Sequence, residues 1–224
     1  MRKIIVSINV TLDGFMAGPR GELDWHFPHW NEEMANFAYE QLCLMDSILL
    51  GRVTYQAMAS YWPYEANNTT CGRQEQDYAY MMNNYEKVVF SKTLRTVEWR
   101  NSRLVKNNIA KEVASLKEQP GLDMIVYGSG SIVSRLMQLD LVDEYVVWLH
   151  PVVLGRGIPL FRDVQGKYPL KLLRTKAFSS GVVVLYYEKV KLKGLPAGKL
   201  KGSQVEKLKG KDVDSDSLIN FSTC

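Results

Sequence analysis

Cysteine, histidine and long apolar runs are all scarce in this sequence, and each shortage excludes something. Its three cysteines, Cys43, Cys71 and Cys224, are odd in number, far apart and without a Cys-x-x-Cys pair. That argues against a disulfide scaffold and against structural zinc, and it suits a reducing compartment. The three histidines are His26, His29 and His150; His150 has no second ligand at metal spacing, so no metal is expected. His26 and His29, beside Trp25 and Trp30, read as the polar rim of a cleft. No apolar run reaches the ~18 residues of a membrane helix, and the first residues lack the apolar core and cleavage site of a secretory signal. The expectation is a cytoplasmic protein without membrane contact.

Excess charge is scarce too. The 224 residues carry 28 basic and 24 acidic side chains, a net charge of +4. Hydrophobic residues make up 46% and charged residues 23%, which excludes a disordered or collagen-like chain. The length permits a sizeable core. From Lys191 onward there are seven lysines against four acids, leaving 21 basic and 20 acidic residues before it. That last segment, 191–224, with Gly194-Leu195-Pro196-Ala197-Gly198 and repeated Lys-Leu-Lys-Gly, reads as a flexible tail. A domain over 1–190 is left nearly neutral. It has no interleaved basic and aromatic stripe, which disfavours nucleic acid as a partner.

What is present is an alternation of strand and helix patterns. Strands are expected at 3–10, 46–50, 87–90, 103–106, 124–127 and 144–149, with a terminal pair at 170–178 and 182–190. Helices are expected at 31–45, where Met34, Phe37, Ala38, Gln41, Leu42 and Met45 share one face, and at 54–61, 74–85, 109–118 and 132–139. The helix at 54–61 should stop before Pro63. Repeated βα units imply an α/β fold with a mostly parallel sheet, and the last pair adds an antiparallel hairpin. Residues 144–149 are apolar on both faces, which fits burial within the sheet or a subunit contact.

Three strand ends carry anion-binding chemistry. Gly128, Ser129, Gly130, Ser131 and Ile132 join a strand to a helix, where small residues admit a ligand and helix-start N–H groups favour phosphate; read plainly, they are a Gly/Ser turn. Gly51, Arg52 and Thr54 form a second such junction, with a guanidinium fork and a capping hydroxyl. Ser91, Lys92 and Thr93 follow a third strand. Together they suit one long anionic cofactor better than any does alone.

The ordered set Ser7 to Pro19, Gly21 to Trp25, Leu50 to Tyr55, Val89 to Leu94, Val126 to Gly130, Leu141 to Glu144 and Pro151 to Phe161 resembles the dihydrofolate reductase superfamily. Within it, the set is similar to the C-terminal reductase domain of the bifunctional riboflavin deaminase-reductase, over residues 2–190. The resemblance implies a three-layer α/β/α fold around a central mixed sheet, a homodimer, and NADPH as cofactor. It implies that Gly51, Arg52 and Thr54 hold phosphate and ribose, that Ser91 and Lys92 face the adenosine 2′-phosphate with Thr93 also at the cofactor, and that Gly128 to Ile132 cradle the pyrophosphate. Val10 and Ala17 would flank the nicotinamide. The activity implied is hydride transfer to a small pteridine- or aminopyrimidine-like heterocycle.

Two departures bear on that substrate. Where dihydrofolate reductases carry an acid on the first helix, this sequence has Met34 and Ala35, with Glu32 and Glu33 out of register. Where the riboflavin-pathway domain has an acid before the glycine pair, it has Tyr127. Asp24 and Asp13 are the candidate catalytic carboxylates; read without function, they are an exposed loop acid and part of a tight turn. Asn9, Trp25 and Tyr127 are the substrate candidates, Trp25 as a stacking surface. The alternatives are a 5-amino-6-(5-phosphoribosylamino)uracil reductase of riboflavin biosynthesis and a nucleotide-binding homologue without turnover.

Overall fold

A computed structural model describes residues 1–66, 72–162, 164 and 166–190; the expected tail at 191–224 lies outside the described residues. Branched apolar side chains dominate β1 (Ile4–Thr11), which is buried along nearly its whole length. A short strand β2 (Phe15–Ala17) follows, then a 3-10 turn at Phe27–His29. Helix α1 (Glu32–Cys43) starts at Asn31, whose side chain accepts from the Met34 N–H at 3.0 Å. Next come β3 (Met45–Gly51), α2 (Arg52–Ala59) and a one-turn helix α3 (Trp62–Glu65). Pro63 does not merely end a helix: it sits in the first turn of α3, where its missing N–H leaves no bond unmade.

The chain continues through α4 (Arg73–Asn84), β4 (Glu86–Phe90), β5 (Ser102–Val105), α5 (Ile109–Glu118), β6 (Asp123–Gly128), α6 (Gly130–Gln138) and β7 (Glu144–His150). A two-residue strand β8 (Ile158–Pro159) precedes the hairpin of β9 (Leu170–Ala177) and β10 (Val183–Lys189). Eight strands form one sheet in the order β5-β4-β3-β6-β1-β7-β10-β9, parallel from β5 to β7 and antiparallel across β10 and β9. β7 lies between β1 and β10, so its apolar faces are buried inside the sheet. β2 and β8 pair as a separate ribbon, which the sequence pattern did not announce.

Strand parity separates two cores. Val6, Ile8, Val10, Val126 and Val147 face α5 and α6. Ile5, Ile48, Leu50, Ile125, Val146 and Trp148 face α1, α2 and α4. The result is three layers, α/β/α. A buried cation joins two elements: the Lys87 Nζ, on β4, donates to the carbonyls of Met82, Asn83 and Tyr85 at 2.8–3.0 Å, closing the end of α4, and lies over the Trp99 ring. At the N-terminal edge of the sheet Arg2 pairs with Asp46, and Lys117 with Asp143 at 2.5 Å.

Candidate active site

β3 and β6 are neighbours, yet the chain leaves them in opposite directions. From β3 it enters α2 on one face, and from β6 it enters α6 on the other. This is the switch point where open α/β sheets form a crevice at their carboxyl ends. The two turns touch there. A side chain at Gly51 would collide with Ser129 Oγ, and one at Gly128 would stand 2.9 Å from Thr54 Oγ1. Gly128 has φ +122°, a conformation that L side chains rarely adopt. The Gly128–Ser129 peptide is cis. Ser129 is the N-cap of α6 without a side-chain bond to the helix; its Oγ lies 3.0 Å from Ser131 Oγ. The first N–H groups of α2 and α6 therefore converge on one place with no side-chain cap.

The expected cofactor residues run outward and inward from this point. One strand out, beyond β4, Ser91 Oγ accepts from the N–H groups of Thr93 and Leu94 at 3.2 and 3.0 Å, with Lys92 exposed. Arg52 is exposed at the start of α2, donating to Gln56 at 3.1 Å. On the inner side, Val10 and Ala17 are buried, and Met16 of β2 lies over Gly130. Ile132 is buried in the first turn of α6. With strands ~4.8 Å apart, the ends of β4, β3, β6, β1 and β7 span about 19 Å.

At the inner end the structure assembles a group that the sequence reading dispersed. His150, the last residue of β7, is fully buried, and its Nε2 lies 2.9 Å from Asn9 Oδ1. Trp25 packs edge-on against it, ring centroids 5.2 Å apart. His26 and His29, from the 3-10 turn, each stand 6.0 Å from the same ring. Burial, and then the two neighbouring imidazoles, push His150 down to about 4, so it is neutral at pH 7. Two buried polar atoms in this group have no hydrogen-bond partner among the described residues: Trp25 Nε1 and His150 Nδ1.

Neither candidate carboxylate is buried with this group. Asp13 is exposed. It accepts from Thr11 Oγ1 at 2.5 Å, which holds its carboxyl below the usual range, and from the N–H groups of Leu154 and Gly155 at 3.1 and 2.7 Å. It thus anchors the 154–155 turn. Asp24 is exposed on the loop before Trp25. Tyr127 faces the α1 and α4 side, and its hydroxyl lies 3.3 Å from that of Tyr78; burial raises it well above the usual phenol range. Glu33 receives Ser179 rather than entering the core. An open cleft of about 470 Å³ lies between the first turns of α1 and α4, lined by Trp30, Ala35, Asn36 and Gln74 among others.

Residues 2–184 match the family of the RibD C-terminal domain. The chain belongs to that family. The family is one of NADPH-dependent reductases. A relative, the uncharacterized protein YyaP of Bacillus subtilis (strain 168), is 37% identical over 186 residues, covering 83% of this chain and 94% of that one. Among solved structures, a putative riboflavin biosynthesis protein from Shewanella sp. PV-4 superposes with TM-score 0.66 at 22% identity, covering 84% of this chain and 99% of that one. A dihydrofolate reductase from Enterococcus faecalis, complexed with NADP(H), superposes with TM-score 0.56 at 13% identity, covering 84% and 97%. The fold is thus dihydrofolate reductase-like, with its mostly parallel sheet and antiparallel C-terminal strands.

For this RibD-family chain, sequence reasoning missed the role of His150 as the centre of a cluster. The signal was available in strand parity. Counting by twos from Trp148 puts His150 on the α1 face, at a carboxyl end, beside the Asn9 face of β1. That Trp25, His26 and His29 fold back over it depends on the loop after β2, whose path no periodicity records.

Proposed function

We propose that this protein is an NADPH-dependent reductase of a small heterocycle. The observation that carries this reading is the switch-point cradle, where Gly51, Thr54, Gly128 and Ser129 bring two helix N-termini together, with Arg52 and Lys92 flanking it. The residues present fit a dinucleotide. Uncapped N–H groups suit a pyrophosphate. Arg52 and Lys92, with Ser91, suit a further phosphate. Val10 and Ala17 give an apolar wall, two strands from Ser91's neighbour β3, for an uncharged ring.

When bound, the cofactor supplies a hydride. The chain's own part is to hold the acceptor carbon beside the end of β1 and to exclude water there. Trp25, Asn9 and His150 line that end. His150, held neutral, orients without adding charge. A proton for the reduced atom arrives from solvent along the loop bearing Asp24. Within this reading, 5-amino-6-(5-phosphoribosylamino)uracil is one substrate that the family membership supports.

Fluorescence titration tests the cofactor. NADPH should bind at least tenfold more tightly than NADH, and Arg52→Ala should narrow that gap. Binding of neither nucleotide would overturn the reading. Oxidation of NADPH with a panel of pteridines and aminopyrimidines separates an enzyme from a nucleotide-binding homologue.

A further inference from the structure

We infer that Trp25 Nε1 and His150 Nδ1 form a donor–acceptor pair that reads the neutral cis-amide edge, H–N–C=O, of the heterocycle. The inference deepens the reductase reading by assigning the substrate's recognition group.

Buried polar atoms in folded proteins nearly always have a partner, because each orphan costs about 1–3 kcal/mol. Here two orphans lie on rings in contact, 5.2 Å apart and perpendicular. Their chemistry is complementary. An indole N–H only donates. The Asn9 Oδ1 only accepts, so the His150 Nε2 beside it carries the ring hydrogen, and Nδ1 presents a bare lone pair. One donor and one acceptor on touching rings, with no charge, match one carbonyl and one adjacent N–H on a planar ring. They do not match a phosphate, which offers only acceptors, or a protonated amidine, which offers only donors and requires a carboxylate.

The surroundings agree. Two carboxylates that the sequence singled out are engaged elsewhere: Glu33 accepts from Ser179, and Asp13 from the 154–155 turn. The covering residues, His26 and His29, belong to a one-turn segment that buries none of its own side chains, and Phe27 in it is 64% exposed. Lifting that segment admits a ring to Trp25 and His150 at little cost in buried surface. Pteridinones and pyrimidinediones both carry the cis-amide edge, so the pair selects for the lactam and not for one ring system.

The test uses the full chain loaded with NADPH, and two probes followed by calorimetry: 5,6-diaminouracil and 5,6-diamino-1,3-dimethyluracil, in which both ring N–H groups are methylated. The expected result is binding of the first at least tenfold tighter than the second. Trp25→Phe, which keeps the packing and removes the N–H, should reduce that ratio to within about twofold. Equal binding of the two probes by the native protein, or no binding of either, overturns the proposal even where NADPH binds normally. Because the probe comparison needs no substitution, it decides the matter even if Trp25→Phe does not fold. Loss of NADPH binding itself would instead strike the reductase reading.

Discussion

The two halves of the candidate site are built from different material. The half at β3 and β6 is mostly backbone: helix N–H groups, glycines whose missing side chains leave room, and a few exposed polar groups. The half at β1 and β7 is made of side chains drawn from three parts of the chain, Asn9 on β1, Trp25 and His29 on the loop after β2, and His150 on β7. Backbone suits a ligand whose phosphates are the same in every reaction. Side chains suit a ligand that differs from one relative to the next. That is a physical reason for a family to keep one cofactor while its members diverge in substrate.

The sharpest break in the comparison is Gly128→Val. A branched side chain there meets Thr54 and must adopt φ +122°. It should cost at least about 2 kcal/mol of stability and lower NADPH affinity by 100-fold or more, read by denaturant melts and fluorescence titration. A variant that still binds NADPH normally would deny the backbone half its role.

The next effect belongs to the other half. His150 is held at about 4 in the folded protein against 6.5 for an ordinary imidazole. Above pH 6.5 neither folded nor unfolded chain protonates it, and it contributes nothing. As pH falls from 6.5 to 4, the unfolded chain takes up a proton that the folded one refuses. Stability therefore drops across that window by roughly 3 kcal/mol and levels off below it. Urea melts at pH 7.5 and 4.5 should show the drop. His150→Phe should lose less over the same window, and an identical loss would place the pH sensitivity elsewhere.

Smaller still is Asp24→Asn. If solvent delivers the proton, turnover with an accepted substrate should fall less than tenfold, with NADPH affinity unchanged. A hundredfold fall would make this exposed loop acid the direct donor. Smallest is Asp13→Asn, which weakens the hold on the 154–155 turn. NADPH affinity should stay within about threefold by titration, whereas a loss matching that of Arg52→Ala would draw Asp13 into the cofactor half.

The same contrast explains what could be read from the sequence. The β1, β3 and β6 strands announced themselves by runs of branched apolar residues, and α5 by its amphipathic spacing, so an α/β fold with a mostly parallel sheet followed from local pattern, while the three layers were implied by the family resemblance. Gly51 and Gly128 were visible because a backbone site leaves glycines at strand ends. The β2–β8 ribbon was not visible: three residues paired with two carry no period, and their pairing depends on contacts across some 140 positions. The histidine cluster was hidden for the same reason. His26 and His150 are neighbours only once the loop after β2 has folded back over β7. Asp13 stayed open between turn anchor and reagent because a turn acid near a strand end can be either, and the partners it anchors, Leu154 and Gly155, lie far along the chain.

Lys87 carries one more consequence. Its ammonium, rooted in β4, closes the last carbonyls of α4, so that end of the helix cannot unwind without stranding a buried cation. The first turn of α4, which lines the open cleft, is held by a more exposed contact, the Glu75 carboxylate accepting from the Gly72 N–H at 3.0 Å. Amide exchange along this one helix should accordingly be graded. Protons near Met82 and Asn83 should persist nearly as long as those of the central strands, and those near Gln74 should be lost through local opening. A helix pinned at one end by a buried cation and held at the other by an exposed carboxylate behaves as a cantilever, its softer end beside the open cleft.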